Sequence, residues 1–118
     1  MGIEIGRGDL LLRLLEASAL RSRVIANNVA NQNTPGYRRE VVRFEDLVGA
    51  RMREGRETAD LAPLVTTDEL TPPRPDGNNV NLELELNAAR ENRLLYESYT
   101  AILRGRFELI RASIEESR

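Results

Sequence analysis

The chain has 118 residues, of which 31% are charged and 4% aromatic, with a formal net charge of −2. That is enough for one domain with a small core, and the near-neutral balance gives no basis for a strong pull towards nucleic acid or anionic lipid. With neither cysteine nor histidine, it excludes disulfides, thiolate metal sites and nucleophilic triads built on Ser-His or Cys-His.

All 17 basic residues are arginine. Codon usage is one reading; the other is that guanidinium forks serve interfaces better than ammonium groups. No apolar run approaches the roughly 20 residues of a membrane span, and Met1 to Asp9 is too polar for a cleaved secretion signal. The expectation is a soluble chain, with any export by a route that removes no leader.

Met1 to Gly8 reads as a loose, glycine-containing lead, with Asp9 as the N-cap of a first helix. From Leu10 to about Asn31 the apolar period is helical, giving a rod roughly 33 Å long. Leu12, Leu15, Ala19, Ser22, Ala26 and Val29 form a three-four seam. Leu10, Leu14, Ala17 and Val24 line another face, which Leu11 and Ile25 widen, so this helix needs more than one neighbour.

The helix runs into Ala26-Asn27-Asn28-Val29-Ala30-Asn31-Gln32-Asn33-Thr34-Pro35-Gly36-Tyr37. Asparagine side chains compete with helical backbone bonds and favour caps and turns. Pro35 cannot continue a helix, and Pro-Gly is a type II turn signal, because glycine accepts the positive φ that turn requires. The helix is therefore expected to end here in a sharp turn that delivers Tyr37 to a defined place.

Glu40 to Phe44 reads as a short extended piece and Glu45 to Arg53 as a short helix, acidic at its start and basic at its end as the helix dipole prefers. Six arginines fall between Arg38 and Arg56; interleaved carboxylates make an internally paired surface the plainer reading, a patch for an acidic partner the sharper one. Gly55 to Asn79 has no sustained period and holds four of the five prolines. It reads as a mobile connecting loop that orders against a partner, closed by a turn at Asp76-Gly77.

A second helix is expected from Asn81 to about Glu116, roughly 50 Å long. Leu82, Leu86, Ala89, Arg93, Tyr96, Thr100, Leu103, Phe107, Ile110 and Ile114 keep an unbroken four-three alternation. A second face carries Ala88, Leu95, Tyr99, Ile102 and Leu109, and Gly105 is a local weak point. The expected fold is all-α: one domain over 1–118, with long helices at 9–32 and 81–116 paired as an antiparallel coiled-coil-like hairpin, and an irregular middle at 33–80. Two helices cannot cover both faces of each other, and uncovered apolar stripes mark interaction surfaces.

No catalytic constellation stands out. There is no G-x-x-x-x-G-K-[ST] and no G-x-G-x-x-G. Asp76-Gly77-Asn78-Asn79 fails as a calcium loop, with Asn81 where glycine is needed and Asn87 where the bidentate glutamate is needed. The chain is read as no enzyme, with no cofactor, metal, nucleic acid or small-molecule substrate.

The A-N-N-x-A-N-x-x-T-P-G-Y run at the end of an N-terminal helix resembles the signature of bacterial flagellar axial proteins. Arg74-Pro75-Asp76-Gly77-Asn78-Asn79-Val80-Asn81 is similar to the D-G-N-x-V-[DN] entry of rod proteins. Glu91 to Tyr96 and Phe107 to Ile114 look most like one of two sister proximal rod proteins; the S-R-x-Y-x-A-N usual in the other is not seen. The resemblance covers about two thirds of the chain and places it with the flagellar basal body rod proteins.

That resemblance implies a structural subunit, stacked helically around a central channel, that transmits torque and lines the export path. It implies as partners copies of itself, other rod proteins, and the adaptor and MS ring at the rod base. It implies a periplasmic rod exported by the type III apparatus without a cleaved signal. On this basis Asn27, Asn28, Asn31, Thr34, Pro35, Gly36 and Tyr37 are expected to set the turn and a subunit contact. The seam of Leu82, Leu86, Tyr96, Leu103, Phe107, Ile110 and Ile114 is expected to pack on the N-terminal helix and on neighbours. A soluble helical-hairpin adaptor and a nucleic-acid binder using the Arg-rich middle are the competing classes.

Overall fold

The computed structural model describes residues 2–117, and for 2–9 the backbone alone. The element order is α1 (Gly2–Ala30), β1 (Glu40–Arg43), α2 (Glu45–Arg53), β2 (Leu64–Thr67) and α3 (Leu82–Glu116). The molecule is elongated, 68 × 29 × 16 Å.

Both long helices are present, with two corrections at the sequence level. α1 begins at Gly2, so Asp9 lies inside the helix rather than at its start. Gly2, Gly6 and Gly8 each weaken a helix by about 1 kcal/mol against alanine. That does not stop a helix already nucleated over the leucine run Leu10–Leu15, since propagation needs only one bond per residue fixed. The fold is also not purely all-α. β1 and β2 pair antiparallel, with Glu40 opposite Thr67, Val41 opposite Thr66, Val42 opposite Val65 and Arg43 opposite Leu64. The middle is thus tied down rather than an irregular loop. Leu-Val-Thr-Thr is β-branched enough to pair once Glu-Val-Val-Arg lies beside it, but four residues are too few to register as a period.

The N-terminus of α3 is capped as its sequence requires: the Asn81 side chain accepts from the backbone N–H of Glu83 and Leu84. The turn after α1 is also built as read. The Tyr37 N–H donates to the Thr34 carbonyl, Pro35 occupies the first central position and Gly36 the second at φ 76°.

α1 uses two faces. One packs on α2: Ala17, Phe44 and Val48 are buried together, with Leu10, Leu14 and Leu61 against them. The other packs on α3 in antiparallel sense, since Asn92 reaches Ser18 and Ser22 while the earlier Glu85 reaches the later Asn28. The residues α3 buries are Glu85, Asn92 and Tyr99 at seven-residue spacing, with Ala88 and Leu95 half-buried between them. This is the second face of α3, not the long seam. Leu82, Leu86, Tyr96, Phe107, Ile110 and Ile114 are between 45% and 63% exposed, and Leu103 alone of the expected seam is half-buried. Among the described residues, most of this seam is left open rather than packed on α1.

Candidate assembly surface and the clasp beneath it

The asparagine run folds onto itself and onto the start of α3. Asn28 is fully buried, and its amide behaves like a peptide group: Nδ2 donates to the Glu40 carbonyl (2.8 Å) while Oδ1 accepts from the Glu40 N–H (3.0 Å). The same Oδ1 accepts from the Tyr37 hydroxyl (3.0 Å), which in turn accepts from Asn27 Nδ2 (3.1 Å). Both ends of the amide are filled, as a buried polar group requires. Asn31 Nδ2 donates back to the Asn27 carbonyl, and Asn31 Oδ1 accepts from the Thr34 hydroxyl.

The second sequence signature closes over the first. Buried Asn78 donates to the carbonyls of Asn31 and Thr34, both at 2.8 Å, satisfying acceptors that the end of α1 leaves open. The Gly36 N–H donates to the Asp76 carbonyl at 2.8 Å. The two bends touch so closely that a Cβ on Gly77, which sits at φ 86°, would stand 3.2 Å from the Gly36 Cα. Gly77 therefore serves both its own positive φ and the approach of the other turn.

Beneath the clasp lies an ionic chain. Glu85, fully buried, takes Nε of Arg39 at 2.5 Å, and Arg39 Nη1 reaches Asp68 at 2.7 Å. Glu85 also accepts from Asn28. Burial works against the charge on Asp68. Bonds from the Thr71 hydroxyl, from Arg39 and from the Thr71 and Leu70 N–H groups outweigh it and hold the carboxyl well below the usual range. Asn79, also buried, clips this chain to the clasp, accepting from the Arg39 N–H and donating to the Asp68 carbonyl.

A second polar hub sits mid-helix. Arg21 contacts both Glu45 and Asn92, and the Tyr99 hydroxyl donates to Glu45 at 2.8 Å. Burial opposes ionisation of Glu45, yet the bonds from Arg21 and Tyr99 bring its carboxyl below the usual value.

Of the expected contact residues, Asn28 is therefore an internal strut. Asn27, Thr34, Pro35 and Gly36 are exposed, and Asn31 and Tyr37 half-buried. Sequence reading missed Glu85, Arg39, Asp68, Asn92 and Asn79 as partners. Glu85 reads as a first-turn carboxylate favoured by the helix dipole, and only the apolar seven-residue frame around it signals that it points inward. Besides Arg39, three of the arginines in the middle have a carboxylate partner: Arg43 with Asp46, Arg51 with Asp60, Arg56 with Glu54.

Much apolar surface also lies outside. Besides the seam, α3 exposes Leu94, Ile102 and Leu109, the last at 72%. α1 exposes Leu12, Ala19, Ser22 and Ala26. Among the described residues no group of three or more His, Cys, Asp or Glu is placed to hold a metal ion, and no helix is long and apolar enough to cross a membrane.

Comparison with known proteins agrees with this geometry. The family described as "Flagella basal body rod protein" matches residues 15–38, the span that holds the second half of α1 and the turn. The flagellar basal body rod protein FlgB of Borrelia hermsii is 29% identical over 127 residues, covering 91% of this chain and 94% of that one. FlgB of Escherichia coli is 28% identical, covering 80% and 82%, and FlgB of Bacillus subtilis 24% identical, covering 94% and 95%. Over the greater part of its length the chain is similar to flagellar basal body rod proteins. All of these relatives carry the name FlgB, so the likeness is to FlgB rather than to the sister protein FlgC.

Proposed function

We propose that the chain is a structural subunit of the proximal rod, which assembles helically with copies of itself and with other rod proteins, transmits torque and lines the export channel. One observation carries the reading: a row of large apolar side chains along α3, from Leu82 to Ile114, lies open to solvent. Apolar surface of this extent is covered in working proteins by another chain. The internal clasp gives each copy a fixed bend, which a regular assembly needs. On the same reading the subunit lies in the periplasm at the rod base, meets the adaptor and the MS ring there, and reaches it through the type III apparatus without losing a leader. Exposed Asn27, Thr34, Pro35 and Gly36 then supply a subunit contact at the turn.

The test is complementation with localisation. A strain lacking its own FlgB-type subunit regains motility with this gene, and isolated basal bodies then contain the chain. Restored motility without the chain in basal bodies, or a discrete one-to-one complex with a soluble partner, rejects the reading in favour of an adaptor.

A further inference from the structure

The β1–β2 ribbon has two outer edges, and only one of them is closed. In an antiparallel pair, residues alternate between bonding across the ladder and pointing away from it. The Asp68 N–H donates to the Arg39 carbonyl at 2.9 Å. By the register of the pair, Thr66 with Val41 and Leu64 with Arg43 face each other in the same bonded way. The backbone groups of Glu40 and Val42 then point outward on the β1 side, where α1 meets them. The Asn28 amide takes both groups of Glu40, and Arg21 reaches the Val42 carbonyl at 3.4 Å. The N–H and C=O of Val65 and Thr67 point outward on the β2 side, and among the described residues nothing bonds to them there.

This edge carries little of the usual protection. Sheet edges are blunted by charged side chains, by proline within the strand, by bulges or by shortness. Leu64-Val65-Thr66-Thr67 has no charge and no proline, and pairs with β1 without a bulge; its shortness is its one guard. Leu64, Val65 and Thr67 are exposed. Just past the strand, Leu70 is 94% exposed on a turn that is firmly held, since its N–H and that of Thr71 donate to Asp68.

We infer that β2 pairs antiparallel with β2 of a second copy, across a two-fold axis at Thr66, to give one sheet in the order β1-β2-β2-β1. Val65 of each copy then faces Thr67 of the other, and every open group on both strands finds a partner. The flanking residues select this register. Shifted one way, Thr67 meets Pro63, which has no N–H to give. Shifted the other way, Val65 meets Glu69, where the chain has already turned away. Thr66 lies opposite its own counterpart, a favourable cross-strand pair. Leu70 of each copy arrives at the start of the other β2, beside exposed Leu64. Charge does not oppose the contact. Asp68 is held by Arg39, and the two Glu69 residues fall at opposite ends, roughly 20 Å apart at the rise of a strand. At the end that receives Glu69, Arg43 and Arg51 are paired with Asp46 and Asp60. A two-fold contact closes on itself and cannot repeat along a one-directional rod. The pair goes beyond the rod-subunit reading: it is a form of the free subunit that leaves the α3 surface unused.

The absence of cysteine makes the test direct. In concentrated protein, Thr66→Cys should oxidise to a covalent dimer, because residues opposed in this way stand about 4.5 Å apart at Cα, within reach of a disulfide. Val65→Cys is offset from its counterpart by roughly 8–9 Å, beyond that reach, and should cross-link at least about tenfold more slowly. Adding Thr67→Pro to Thr66→Cys removes an outward N–H and no bond to β1. It should leave the melting temperature in place and slow cross-linking by roughly tenfold. Equal cross-linking of the two cysteine variants overturns the pairing, and so does a proline variant that melts as its parent does and cross-links as fast. Either failure leaves the rod-subunit reading standing, since complementation reads that separately.

Discussion

At the residue scale, the informative comparison is between neighbours. Asn27 and Asn28 look equivalent in sequence, yet one is exposed and the other fully buried with both ends of its amide bonded. Asn28→Ala strands the Glu40 N–H and carbonyl and the Tyr37 hydroxyl, and should lower unfolding free energy by about 2–3 kcal/mol. Asn27→Ala should change it by less than about 1 kcal/mol; urea titration of the two variants checks the contrast. The ionic chain below sets a pH dependence. Asp68 and Glu45 have carboxyls depressed in the folded state, so their contribution is fully present above the ordinary carboxylate value of about 4 and is lost as pH falls below it. Melting temperature should fall on acidification through that window, and the fall should flatten in Asp68→Asn. This layer was only half legible. Asparagines before Pro-Gly announce caps and turns, but nothing local distinguishes the one whose partner, Glu85, lies 57 residues away.

At the element scale, periodicity over many residues located both long helices, and the acidic start and basic end of α2 located that helix to its boundaries. The sheet escaped because its strands have four residues each and their pairing is non-local. The start of α1 escaped because glycine reads as a breaker while acting here only as a small penalty. The seam of α3 is mostly exposed, while the face buried against α1 carries Glu85 and Asn92, which a count of apolar residues ranks below it. Two glycine substitutions separate these effects. Gly105 lies in α3 with nothing within 4 Å of an added Cβ, so Gly105→Ala should stabilise by about 1 kcal/mol. Gly77→Ala should destabilise, by about 1–2 kcal/mol from its positive φ and further from the contact with Gly36. Thermal melts of the two variants should move in opposite directions.

At the scale of the whole molecule, the chain is long and thin and carries exposed apolar side chains along α3. The surplus of apolar faces was legible in the sequence, and it is the ground for expecting association. Which face would remain open was not, because that depended on the polar hubs that claim the α1–α3 interface. Replacing Leu86, 49% exposed, by glutamate tests the outcome. The monomer should retain its stability within about 0.5 kcal/mol, as a surface change does, while incorporation into basal bodies is lost; quantifying the chain in purified basal bodies of a complemented strain measures it.

The join between α1 and α3 is spelled largely in amides, carboxylates and guanidinium groups. Such groups dictate orientation closely but return little net free energy once their lost hydration is counted. A solitary copy therefore has its bend specified before it has much reserve to defend it. On the rod-subunit reading, neighbours then receive a correctly shaped yet yielding recruit, which stiffens on joining them.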